Sequence, residues 1–67
     1  MKGKVKFFDA TRGFGFIIPE EEGMKEIFVH WSEIEKDGFK TLENGATVAF
    51  EAVASERGMV AKKVVEL

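Results

Sequence analysis

The stretch Gly13-Phe14-Gly15-Phe16-Ile17-Ile18 is followed by Ile27-Phe28-Val29-His30-Trp31. Both carry a period of two, which commits them to extended backbone, because side chains on a strand point alternately to opposite faces. Phe14 and Phe16 then share one face, and Gly15 and Ile17 the other. In the second run Phe28 and His30 share a face, opposite Ile27 and Val29. A strand usually buries its larger apolar residues, and here the aliphatic faces suffice to supply a core. That leaves the aromatic faces free for something else.

Rings on an open sheet face suit unstacked bases. Every base has a π-face, and stacking on an aromatic side chain contributes about 1–3 kcal/mol per base. Glycine beside each phenylalanine allows a flat partner to approach the backbone closely. These residues therefore point to single-stranded nucleic acid as the partner.

A chain of 67 residues is expected to form one domain, residues 1–67. It buries only about 60% of its unfolded surface, which keeps its stability marginal. There is no cysteine, hence no disulfide framework and no thiolate metal site. Apolar runs are short, so neither a signal peptide nor a membrane span is expected, and a cytoplasmic location follows. The net charge of −2 runs against the basic footprint of a nucleic-acid binder. Position tempers that objection. Lys2, Lys4, Lys6 and Arg12, with Lys40, Arg57, Lys62 and Lys63, are placed to gather on one side. The acids concentrate in Glu20-Glu21-Glu22, Glu26, Glu33, Glu35 and Asp37, in apparent loops. A dipolar surface of this kind can hold a polyanion with weak overall attraction.

Along the chain, alternation from Lys2 to Phe8 predicts a first strand, with Lys4, Lys6 and Phe8 on one face and Val5 and Phe7 on the other. Asp9–Gly13 is a turn, with Gly13 suited to positive φ. A second strand runs from about Phe14 to Ile18 and ends at Pro19. Glu20–Lys25 is read as a solvated acidic loop, since a Ca²⁺ site needs six or more oxygens in a pattern that is absent. A third strand covers roughly Glu26–His30. Ser32 and Glu35 have the spacing of a capping box, which predicts one short helical turn. Leu42 is expected to plug the core from a longer connection. Ala46–Val53 forms a fourth strand, with Val48, Phe50 and Ala52 inward. Ser55–Gly58 is a hairpin turn, and Met59–Val65 a fifth strand. Five short strands without a long helical period predict an all-β barrel, whose closure removes exposed edges.

Arg12-Gly13-Phe14-Gly15-Phe16 matches successive positions of the RNP1 pattern, a basic residue followed by G-F/Y-G/A-F. The second element, Ile27-Phe28-Val29-His30, follows it after a connection too short for a helix, which separates this chain from the RNA-recognition motif. With Gly3-Lys4-Val5-Lys6-Phe7-Phe8 and Gly38-Phe39-Lys40-Thr41-Leu42, the chain resembles the bacterial-type cold-shock domain over essentially its whole length. The resemblance implies a five-stranded antiparallel OB-fold barrel that binds single-stranded DNA and RNA with little sequence preference. It also implies nucleic-acid chaperoning, in which RNA is held unstructured during stress such as cold. The matching positions of the stacking platform are Phe7, Phe14, Phe16, Phe28, His30, Trp31 and Phe39. Lys6, Arg12 and Arg57 match positions near the backbone path, and Phe8 lies close to the platform.

This sequence departs from the family at four places. Phe7 stands where tryptophan is usual, and Trp31 where phenylalanine is usual. The Glu20-Glu21-Glu22 loop is longer and more acidic than common, and Met59-Val60 replaces Pro-Gln after Gly58. Retained but lowered affinity is the expectation. Plain alternation sends Phe7 inward while the resemblance displays it. A bulge in the first strand that exposes Phe7 and Phe8 reconciles the two.

Other classes find less support. A core role is expected for Phe50 and remains open for Phe39. His30 is the only histidine, and beside Phe28 it is better placed to meet a base than to act in catalysis. No nucleophile has a partner arrangement, so neither catalytic residues nor a metal or other cofactor is expected, nor a small-molecule substrate. The chain is read as a non-enzymatic monomer. The alternative is a protein-interaction barrel holding a peptide on the same aromatic patch.

Overall fold

The period-two faces form strands as expected. In a computed structural model that describes residues 1–38, 40–56 and 58–67, the strands are β1 (Lys2–Asp9), β2 (Phe14–Pro19), β3 (Ile27–His30), β4 (Thr47–Ser55) and β5 (Gly58–Glu66). A 3₁₀ turn at Trp31–Glu33 follows β3. The sheet closes into a barrel in the order β1-β2-β3-β5-β4, consistent with an OB-fold. The pairs β1–β2, β1–β4, β2–β3 and β4–β5 are antiparallel. The closing seam, β3 with β5, is parallel and rests on the single register pair Phe28↔Val60. Beyond the turn, Ile34 bridges Val64 in the same parallel sense.

The core is almost wholly aliphatic. Val5, Ile17, Ile27, Val29, Ile34, Leu42, Val48, Ala61 and Val64 are buried, and Phe50 is the one aromatic ring among them. Each larger side chain among these contributes about 1.5–3 kcal/mol by leaving water. Leu42 does plug the barrel, and Ala52 packs against the core partly buried.

Plain alternation fails in β1. The pairs Gly3↔Pro19 through Val5↔Ile17 give way to Phe7↔Phe16, Phe8↔Gly15 and Asp9↔Phe14, so Lys6 is an extra residue. This bulge turns Phe7 onto the face of Phe16, correcting the inward placement that alternation gave it. It does not send Phe8 the same way. Phe8 crosses to the Gly15 face and packs, partly buried, against the core. Gly15 is what admits this arrangement. A Cβ there would run into the Phe7 carbonyl oxygen and stand 2.7 Å from the Phe8 Cα. The close approach that Gly15 permits is therefore that of β1, not of a ligand.

The Ser32–Glu35 capping box does not form. The turn starts two residues earlier than that motif requires, and His30 is its cap, accepting from the Ser32 amide. Ile34 is already extended, and the Glu35 amide donates to the Val64 carbonyl at 2.8 Å, so the chain has left the helix before Glu35 can reach back.

Candidate nucleic-acid interface

Adjacent β1, β2 and β3 carry one face of partly exposed rings. Register places Phe7 opposite Phe16, Phe16 opposite Phe28, and Phe14 opposite His30. Phe7 and Phe16 have centroids 5.6 Å apart at 52°. Phe16 meets Phe28 edge to face at 5.8 Å and 78°, and Phe14 stacks on Phe28 at 5.8 Å and 21°. These are the separations and tilts that aromatic quadrupoles favour. The cluster thus stabilises itself while one side of it remains open to solvent. Phe7, Phe14, Phe16 and Phe28 are each half-buried, and His30 and Trp31 exposed.

Trp31 extends the face beyond the end of β3. Its amide donates to the Gly13 carbonyl at 2.8 Å, and its ring lies where a Gly13 Cβ would be. Gly13 has φ +80°, as its turn position predicted. The indole is 46% exposed, so it is seated without being lost to solvent. His30 lies against it at 5.6 Å and 37°, and the Lys40 ammonium sits 6.0 Å from the ring centroid, at the reach of a cation–π contact. Ala10, Thr11, Arg12, Gly38 and Lys40 complete a shallow hollow around Trp31 and Gly13.

A pair of grooves flanks the other end. Phe16, Phe28, Ser55, Glu56, Met59 and Val60 line one, and Met24, Lys25, Glu26 and Gly58 join Phe16, Phe28 and Met59 in the other.

The basic side chains are more committed than their positions in the sequence suggest. Lys6 Nζ is 2.6 Å from Glu26 Oε1, and Arg12 Nε is 3.9 Å from Asp9 Oδ2. Lys62 pairs with Glu33 at 3.3 Å, and Lys63 with Glu51 at 3.5 Å. All are surface pairs, worth about 0–1 kcal/mol each, so an arriving phosphate can displace them at little cost.

The family model of the 'Cold-shock' DNA-binding domain matches residues 1–67. The chain belongs to the cold-shock domain family. Nucleic acid is accordingly the partner class of this cold-shock domain. It is 52% identical over 68 residues to a cold shock-like protein of Thermotoga maritima, covering 98% of this chain and 100% of that one. Cold shock protein CspA of Staphylococcus haemolyticus and CspA of Staphylococcus aureus are each 52% identical over 66 residues, covering 98% of this chain and 97% of theirs. Among the described residues no helix is long and apolar enough to cross a membrane.

In this cold-shock domain, the sequence-predicted residues Phe7, Phe14, Phe16, Phe28, His30 and Trp31 come together on one face. Lys6 and Arg12 are exposed beside their acidic partners, and Phe8 belongs to the opposite face. Phe39 and Arg57 lie outside the described residues. Sequence reasoning missed Asn44, whose Oδ1 accepts the Phe8 amide at 3.2 Å and so helps hold the strand after the bulge. It also missed Ser32 as the partner of His30, and Met24 and Met59 as groove walls. The only advance signal for Asn44 was that it is the chain's sole asparagine, set before a glycine.

Proposed function

We propose that this cold-shock domain binds single-stranded DNA and RNA by stacking bases on Phe7, Phe14, Phe16, Phe28 and Trp31. The phosphates run past Lys6 and Arg12, and His30, Phe39 and Arg57 complete the contact surface by resemblance to the family. Held this way, an RNA is kept from folding on itself, which is the work of a nucleic-acid chaperone acting as a cytoplasmic monomer without catalysis. One observation carries the reading: the barrel fills its core almost wholly with aliphatic side chains, Phe50 apart, and leaves a mutually supported cluster of phenylalanines half in water. Open rings of this kind are what sequence-tolerant stacking needs.

Trp31, the only tryptophan, supplies the test. Titration with a short oligothymidine at low salt quenches its emission, whereas duplex of the same length and an extended peptide do not. With three or four phosphates neutralised, log affinity falls against log salt with a slope of about −2 to −3. Unchanged emission together with no binding by calorimetry refutes the reading, and quenching by the peptide alone replaces it with a protein-interaction barrel.

A further inference from the structure

We infer that Ser32 is a positioning residue that fixes which nitrogen of His30 carries the proton, and thereby makes His30 a hydrogen-bond donor toward a bound base. The inference rests on the single-strand reading for its last step, but its first step concerns the protein alone.

His30 is extended, with φ −106° and ψ 148°, and caps the turn Trp31–Glu33 through its own ring. The Ser32 amide donates to His30 Nδ1 at 3.3 Å, and Ser32 Oγ lies 2.8 Å from the same nitrogen. A backbone N–H can only donate, so Nδ1 must present its lone pair. The hydroxyl, which can rotate to donate or accept, then turns its proton to that lone pair as well. A neutral imidazole has one N–H, and with Nδ1 excluded it is Nε2 that holds it. The opposite tautomer would point an Nδ1 proton at the Ser32 amide proton and leave the turn's capping acceptor missing.

Nε2 is on the far side of the ring from this contact. His30 is exposed, opposite Phe14 in register and leaning on Trp31 at 5.6 Å. A base stacked on these rings therefore meets a fixed donor. Carbonyl oxygens and unprotonated ring nitrogens on the base edge are accepted, and an exocyclic amine in the same place is refused. Stacking alone gives no such discrimination, because every base has a π-face. Ser32, which touches no base itself in this scheme, sets the polarity of the only imidazole on the platform.

The test is ¹⁵N–¹H correlation of the His30 ring in alkaline solution, where the imidazole is neutral, on the wild-type chain, Ser32→Ala and Ser32→Pro. The wild type shows the Nε2–H tautomer. Ser32→Ala, which keeps the amide, keeps that tautomer, and Ser32→Pro, which has no backbone N–H to donate, shows a mixture with Nδ1–H. Oligothymidine affinity falls about fivefold in Ser32→Pro, the size of one ordinary hydrogen bond, and is kept in Ser32→Ala. A wild-type Nδ1–H tautomer, or an unchanged tautomer in Ser32→Pro, overturns the positioning role. A shifted tautomer with unchanged affinity overturns the donor role. Failure of the wild type to bind any single strand, with the Nε2–H tautomer present, counts against the proposed function and not against the positioning of His30 by Ser32.

Discussion

The Trp31 indole rests on Gly13, and the Trp31 amide donates to the Gly13 carbonyl at 2.8 Å. One residue thus sets both the height and the direction of the chain's only tryptophan. Gly13→Ala places a methyl in the ring's seat and an L-residue at φ +80°. The left-handed backbone alone costs about 1–2 kcal/mol. Urea unfolding of Gly13→Ala should show at least that loss, with Trp31 emission in the folded state shifted toward that of a fully solvated indole.

Phe28 and Ile17 sit one strand apart on opposite faces, and their substitutions should separate binding from folding. Phe28→Ala is expected to weaken oligothymidine binding by about 1–3 kcal/mol. Its stability should fall far less than that of Ile17→Ala, for which about 2–5 kcal/mol is expected at a fully buried site. Paired fluorescence titrations and denaturant melts measure both. Large unfolding with unchanged affinity in Phe28→Ala would assign that ring to the core.

Glu26 holds the Lys6 ammonium at 2.6 Å beside the ring face. Glu26→Gln removes a carboxylate that competes with phosphate and frees the lysine. Affinity for a single strand should rise severalfold at low salt, and the gain should shrink as salt is added. Stability should stay within about 0.5 kcal/mol, since the pair is exposed. Titrations at two ionic strengths decide it.

Lys63 is the one non-glycine residue with positive φ among the described residues, at 52°. It lies where the β4–β5 register shifts between Ala49 and Glu51, so β5 carries a bulge. Its 3.5 Å pair with Glu51 is well exposed and repays little of the backbone cost. Lys63→Gly should therefore raise stability by about 0.5–1 kcal/mol, and Lys63→Val should lower it, as read by thermal or urea unfolding.

Much of this was legible from the residues. Ile17, Ile27 and Val29 announced the core because alternation within a single strand needs no knowledge of its neighbours, and the same rule put Phe14 with Phe16 and Phe28 with His30. Phe7 was not legible by that rule. Its face depends on the bulge at Lys6, and the bulge depends on Gly15 in the neighbouring strand making room for the Phe7 carbonyl. The helical turn was foreseen, but its cap was not. A Ser-x-x-Glu spacing reads only local backbone, whereas the parallel bridge of Ile34 to Val64 pulls the chain straight before Glu35 can respond. The gathering of Lys6, Arg12, Lys62 and Lys63 was expected from position; each is found beside an acid, and two of those acids, Glu26 and Glu33, were expected in separate loops.

The β3–β5 seam has a consequence for the domain's motions. Phe28 is both a platform ring and the strand residue in register with Val60 where the cylinder closes. A seam this short is the natural place for the wall to part, and its amides should be early to exchange with solvent. When the wall parts, the phenylalanines of β2 and β3 separate from Met59 and Val60 across the groove. A ligand lying over Phe28 prefers the shut form, and whatever binds only that form deepens its well by mass action. Occupancy would then work as a clasp, tightening the cylinder at the spot where its own hydrogen bonding is thinnest.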